Sequence, residues 1–416
     1  MMRTSLPPRV PHPPPNSSAR KTPLALMFFL SLTCLSAAAC QDLQGSTPES
    51  PYPDGICGPA DNEPRPQGRL LVATEQYGSG GGVTAIDLET RQARVNVALT
   101  HDDVTLRWYD HKIWVLNRYG ADNIMILDGD DYSLLKQFSV KLDRNTPCNP
   151  HDIAFLDRCR LYVSCYEQPD ILVVDPQAPP GEELQGTVDL RALADDDGIP
   201  EASHMHVTSE GVWITVSRMR RNHGWVPAPP SYLALVDPRT DVLIDEVELQ
   251  GRNPVGPIHE IPATGALVVA TAGDWSGEHA GLELVDPATK TSSSALSAQE
   301  LGGVVSSFSL DASGCGYAVV SRPITYETAV KRFCLEPSMD PISDCVPFDS
   351  FLITDVAVTD SGALVVTDTS SQPPGVRFFT AGECPAQKSD PAGPPLSTGF
   401  APGFTNPLLL IPERRE

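Results

Sequence analysis

Asp152-Ile-Ala-Phe-Leu156, Asp157-Arg-Cys-Arg160 and Leu161-Tyr-Val-Ser-Cys165 follow one another without a break. Two short apolar segments flank a polar turn, which is the pattern of a β-hairpin. A loop then leads to Val173-Val-Asp175, a further strand that closes on a carboxylate. The unit returns along the chain. It reads Leu71-Val-Ala-Thr74 to Ala85-Ile-Asp87, Trp114-Val-Leu-Asn117 to Ile126-Leu-Asp128, Trp213-Ile-Thr-Val216 to Leu235-Val-Asp237, and Val268-Val-Ala-Thr271 to Leu284-Val-Asp286. Two degenerate copies, Tyr317-Ala-Val-Val320 to Cys334-Leu-Glu336 and Leu364-Val-Val-Thr367 to Arg377-Phe-Phe379, bring the total to seven. Strand-only repeats of about 40 to 50 residues predict one four-stranded sheet per copy, stacked radially, so the fold class is all-β, a seven-bladed β-propeller.

The first copy alone lacks a strand before Leu70. An open ring would leave unpaired strand edges, which invite aggregation. Asn149-Pro150 and Asn253-Pro254 stand before inner strands, and Asn406-Pro407 precedes Leu408-Leu-Leu-Ile411. The C-terminal strand is therefore expected to complete the first blade as its innermost strand.

Ahead of the repeats the composition changes. Residues 1–39 hold Arg3, Arg9, Arg20 and Lys21 with no acid, then the apolar run Leu24 to Leu35 and the small residues Ser36-Ala-Ala-Ala39 before Cys40. This reads as a secretion signal and not as a membrane span. Small residues running into Cys40 resemble the bacterial lipoprotein box, although Ala37 stands where Leu is usual. The resemblance implies lipid attachment at Cys40, and Gln41 points to the outer membrane, with the protein periplasmic or surface-exposed; ordinary cleavage nearby is the rival. The expected organisation is a signal peptide at 1–39, a lipid-anchored Pro-, Gly- and acid-rich tether at 40–67, and the propeller at 68–416.

Without the signal, 26 Lys and Arg face 53 Asp and Glu, a net charge of −27. Such a body repels nucleic acid and anionic lipid, so any membrane contact is expected through the lipid alone. A monomer is expected. Eight cysteines follow Cys40: Cys57, Cys148, Cys159, Cys165, Cys315, Cys334, Cys345 and Cys384. An even number in an exported chain suggests disulfides. Antiparallel pairing brings Cys315 close to Cys334, with Cys345 as a competing partner, and Cys148 and Cys165 flank an inner hairpin in the same way.

Over residues 68–380 the chain resembles the YVTN-type propellers, the seven-bladed family related to the quinoprotein amine dehydrogenases. Tyr162-Val-Ser-Cys165 stands where Tyr-Val-Thr-Asn falls, and Trp114-Val-Leu-Asn117 is a second version. The resemblance implies the fold. Relatives of this type include ligand binders, surface proteins, lactonases and a few oxidoreductases, so it implies no single activity.

Residues just before each inner strand, or just after the next strand, are expected to line one mouth of the central channel. They include Asp103, Arg118, Asp152, Tyr166, His204, His206, Arg218, His259, Arg322 and Asp355. Guanidinium forks suit bidentate contact with carboxylate or phosphate, so Arg118, Arg218 and Arg322 form a candidate anion site. The competing expectation is that Arg and Asp pair with one another and plug the channel. The Met219 to Trp225 loop adds cationic and aromatic groups beside Arg218. His204-x-His206, with Glu201 or Asp152, is the one candidate metal constellation, weighed against plain hydrogen bonding. Asp103, Asp152 and Asp355 are candidates for two-carboxylate hydrolysis. The Asp195 to Gly198 run lacks EF-hand spacing and reads as turn acids, and Gly78 to Gly82 reads as a strand-to-strand turn. No Gly-x-Ser-x-Gly, His-Glu-x-x-His or Cys-x-x-Cys occurs, and no cofactor motif is present.

Two functions are compatible with these features. One is a non-enzymatic, lipid-anchored envelope protein that binds a small anionic ligand, a glycan or an envelope protein through its channel mouth. The other is an enzyme of lactonase or oxidoreductase type using the His, Asp and Arg residues there.

Overall fold

In the computed structural model the described residues are 68–143, 145–274, 276–335, 341–380 and 394–411. The signal peptide, Cys40, the tether, Cys57 and Cys384 lie outside them. The strands form seven blades, each an antiparallel meander running from the axis outward. Blade 2 is typical: Val104–Tyr109, Lys112–Asn117, Asn123–Asp128 and Leu134–Ser139 pair in sequence order. Inner strands of the next five blades are Pro150–Phe155, Ala202–Val207, Pro254–Ile261, Val304–Leu310 and Val356–Val358.

The ring closes as the sequence predicts. Leu408–Ile411 lies antiparallel on Arg69–Glu75, with Leu70 opposite Leu410 and Val72 opposite Leu408. Just before it, Ala401–Pro402 also pairs with that strand. Seven apolar clusters fill the seven interfaces between neighbouring blades. The cluster that joins the last blade to the first contains Leu70, Val72, Ile86, Val365 and Val376, with Leu408 and Leu410 packed against it. A sheet of this width cannot cover both apolar faces alone, so each blade is stable through its neighbours.

The aspartate that ends each of the five regular copies is a turn former. Asp87 Oδ1 accepts from Thr90 N–H at 2.7 Å, Asp175 Oδ1 from Gln177 N–H at 2.8 Å and Asp286 Oδ1 from Ala288 N–H at 2.9 Å. Aspartate recurs there because its side chain satisfies the amide that the turn frees from the ladder.

Both expected disulfides form, Cys148–Cys165 and Cys315–Cys334. Cys315 and Cys334 face each other in register. Cys159 and Cys345 are disulfide-bonded as well, so Cys345 does not compete for Cys315.

Candidate binding site at the channel mouth

Four inner strands carry a register irregularity near their starts, between Pro150 and Asp152, Ala202 and Met205, Val255 and His259, and Val305 and Ser307. A bulge bends the strand and re-aims its side chains. In blade 4 a freed amide is taken up by a hydroxyl on the second strand, and blade 7, whose inner strand carries no such irregularity, uses the same device just ahead of its strand. His204 N–H donates to Thr215 Oγ1 at 2.9 Å, while Thr354 and Asp355 N–H donate to Thr367 Oγ1 at 2.8 and 3.0 Å. In these two blades the hydroxyl residue of the repeat is a brace for the inner strand, whereas Ser164 Oγ has no partner among the described residues. Because the bulges break strict alternation, the sequence places Asp152 and His204 ahead of their strands. They lie within them, in strands that begin at Pro150 and Ala202.

Arg118 is the centre of the mouth. It is only 6% exposed. Its Nη2 donates to His151 Nε2 at 2.5 Å, and since guanidinium nitrogens only donate, His151 Nε2 must accept. The imidazole proton then sits on Nδ1 and is donated to Ser203 Oγ at 2.9 Å. Burial, with Arg118 and His204 adding to it, holds the His151 pKa well below its ordinary value, so the ring is neutral. Tyr166 stacks on it with centroids 4.4 Å apart. Arg118 Nη1 is 3.3 Å from Asp103 Oδ1, near enough for an ion pair but out of line for a hydrogen bond. Its Nε and Nη1 hydrogens have no hydrogen-bond acceptor among the described residues.

Further along the axis Asp152 and Asp355 are satisfied by neighbouring donors. Asp152 accepts from Arg107 Nε at 2.6 Å, Met205 N–H at 2.8 Å and Ile153 N–H at 2.7 Å. His204 Nδ1 lies 3.9 Å from Asp152 Oδ2, yet burial outweighs that carboxylate and brings the His204 pKa down to about 4. Asp355 accepts from Ser307 Oγ at 2.5 Å and Leu408 N–H at 2.9 Å, and burial raises its pKa to about 6. Asp355 thus holds the closing strand. Arg107 was missed in the sequence, where the available signal was a charge in the middle of the inner strand Val-Thr-Leu-Arg-Trp-Tyr.

Other expected residues point elsewhere. Arg218 donates to Pro230 O at 2.8 Å and its guanidinium lies 5.5 Å from the Tyr232 ring, on the third strand of its blade. Arg322 is half exposed, pairs with Glu327 at 2.8 Å and sits over Phe348. The three arginines therefore do not converge. His206 Nε2 meets Glu260 at 3.1 Å on the neighbouring blade, and His259 lies against Phe308. His204 and His206 have separate partners, and among the described residues no group of three His, Cys, Asp or Glu is arranged to hold a metal ion. The loop after Arg218 is a small hairpin, Met219–Arg220 with Val226–Pro227. From it Arg221 reaches Glu201 at 2.8 Å, Glu167, and Tyr166 O at 2.8 Å, clamping blade 4 onto blade 3. Burial raises the Glu201 pKa to about 7 in spite of Arg221.

What the fold and this mouth define together is a seven-bladed propeller with a polar axial network. No family model and no curated protein matches the chain. Among solved structures, the hydrazine synthase of Kuenenia stuttgartiensis is similar at 13% identity and a TM-score of 0.52, over 80% of this chain and 99% of that one. A chain of the mitotic checkpoint complex aligns at 12% identity and 0.51, over 76% and 87%. A streptogramin B lyase aligns at 10% identity and 0.47, over 76% and 88%. At these identities the likeness is one of fold.

Proposed function

We propose that this chain is an exported binding protein of the cell envelope, anchored by lipid at Cys40, whose channel mouth holds a small anionic ligand against Arg118. The observation that carries the ligand class is Arg118 itself: a buried guanidinium whose Nε and Nη1 hydrogens lack acceptors even though Nη1 is ion-paired with Asp103, beside an imidazole that is neutral. Buried donors without partners cost about 1–3 kcal/mol each, a cost that a carboxylate or phosphate oxygen would remove. Disulfides at Cys148–Cys165 and Cys315–Cys334 support an oxidising compartment. The −27 charge of the chain after the signal makes Arg118 a local exception in an acidic body, which favours one small anion over an extended polyanion.

Calorimetric titration with inorganic phosphate and with succinate tests the ligand class. Binding of at least one is expected, weakened about tenfold or more in Arg118→Ala and unchanged in Arg322→Ala. Arg118→Lys, which keeps the charge, controls for folding. Equal affinity in wild type and Arg118→Ala removes the site. Incorporation of labelled fatty acid, lost in Cys40→Ala, tests the anchor separately.

A further inference from the structure

A cavity of about 770 Å³ opens at the same end of the propeller, between blades 1 and 2. Arg118 does not line it. Its wall brings three carboxylates, Glu75, Asp102 and Asp103, together with the rings of Tyr77, Tyr119 and Phe404. These rings are 93%, 63% and 62% exposed, so they do not serve the core. Large apolar side chains held in water beside a cavity indicate a contact surface. Asp102 is engaged by His101 Nδ1 at 2.9 Å and by Gly78 N–H at 2.8 Å, and Asp103 by Arg118. Glu75 has no ion-pair partner among the described residues. Burial, and after it the charges of Asp103 and Asp102, raise its pKa to about 7. A cation entering the cavity would relieve that repulsion and draw the Glu75 carboxyl into its ionised form.

The glycine run sets the shape of this wall. Gly78 and Gly80 have φ of +70° and +110°, and a Cβ at Gly81 would lie 2.3 Å from Thr74 O. Only glycine lets the turn leave Glu75 and fold back directly against its own strand.

We propose that this cavity binds a small organic cation, with an ammonium group seated against Glu75 and its alkyl groups against the Tyr119 and Phe404 rings. Carboxylate attraction and the negative faces of aromatic rings act on the same positive centre. The volume is that of a small-molecule site. Tyr77, at the tip of the turn, is the residue placed to cover a bound cation. This site shares the Asp103 carboxylate with the Arg118 site but has the opposite charge preference and its own seat at Glu75, so either stands without the other.

Choline and its uncharged isostere 3,3-dimethylbutan-1-ol separate charge from shape. Titration of the full chain is expected to give choline binding about tenfold tighter than the isostere. Glu75→Gln should abolish that preference while keeping side-chain volume, and Tyr119→Ala should weaken choline about tenfold. Arg118→Ala, which removes a neighbouring cation, should leave choline binding intact or strengthen it. Equal affinity for the two probes, no choline binding at millimolar concentration, or a Glu75→Gln variant that still prefers choline would each overturn the proposal. Loss of phosphate binding alone would leave it standing.

Discussion

At the scale of the residue, burial decides what each polar side chain does. His259 is enclosed at its Nε2, which has no partner among the described residues, and burial lowers its pKa to about 4. In the unfolded chain the same imidazole would titrate at 6.5. Between those values the unfolded state holds a proton that the folded state does not, so His259 contributes stability that is lost as pH falls from 6.5 towards 4. Glu75 and Glu201 act in the opposite sense. Their folded pKa values, about 7, lie above the unfolded 4.5, so the stability they contribute is present in acid and lost as pH rises through 7. His259→Gln should therefore reduce the drop in unfolding free energy between about pH 7.5 and pH 5, measured by urea denaturation, by about 1–2 kcal/mol after allowing for partial exposure. A variant with the wild-type pH slope would show that His259 is not held neutral. Whether Arg118, Arg218 and Arg322 converge could not be read from sequence, because a side chain just past a strand end can turn inward or outward. Arg118 finds His151, whereas Arg218 finds Tyr232 and Arg322 finds Phe348.

At the scale of the element, the repeated strand ends were legible and the inner strand starts were not. Trp114 to Asn117, Tyr162 to Cys165 and Trp213 to Val216 are second strands as expected, because continuous apolar runs bounded by turn residues leave little choice of register. Four inner strands carry bulges near their starts, so a test for alternation finds those strands only from the bulge onward. The C-terminal strand was found through a different signal, its Asn-Pro start. The second-strand hydroxyls differ in what they hold. Thr367 Oγ1 takes two buried amides, whereas Thr271 Oγ1 makes only a 3.5 Å contact to Gly281 O. Replacing a hydroxyl by the isosteric methyl leaves the amides buried and unpaired. Thr367→Val is expected to cost about 2–4 kcal/mol and Thr271→Val less than about 1 kcal/mol, measured by urea denaturation. Equal costs would mean that the hydroxyls pack and do not brace.

At the scale of the whole molecule, stability is shared round a ring, and the first and last described strands meet in a single blade. The last four residues of the closing strand, Leu408 to Ile411, supply the axial edge of blade 1 and cover apolar surface on two sides. Ile411 packs with Leu71 and Val104 between blades 1 and 2, while Leu408 and Leu410 pack on the cluster between blades 7 and 1. Leu408 N–H also donates to Asp355, so the strand is tied to blade 7 as well as paired with blade 1. Removing residues 405–416 would thus bare the edge of Arg69–Glu75 and weaken two of seven interfaces at once. Because each blade depends on its neighbours, damage at one seam should spread round the ring, as in other repeat architectures. The truncated protein is expected to lose its cooperative thermal transition and to aggregate through the free strand edge, seen by scanning calorimetry and gel filtration. Ile411→Ala should keep the ring and cost about 2–4 kcal/mol, the usual range for emptying a buried isoleucine site. A truncated chain that melts at the wild-type temperature as a monomer would show that the blades stand without closure, and Asp355 would then have no role as the tie.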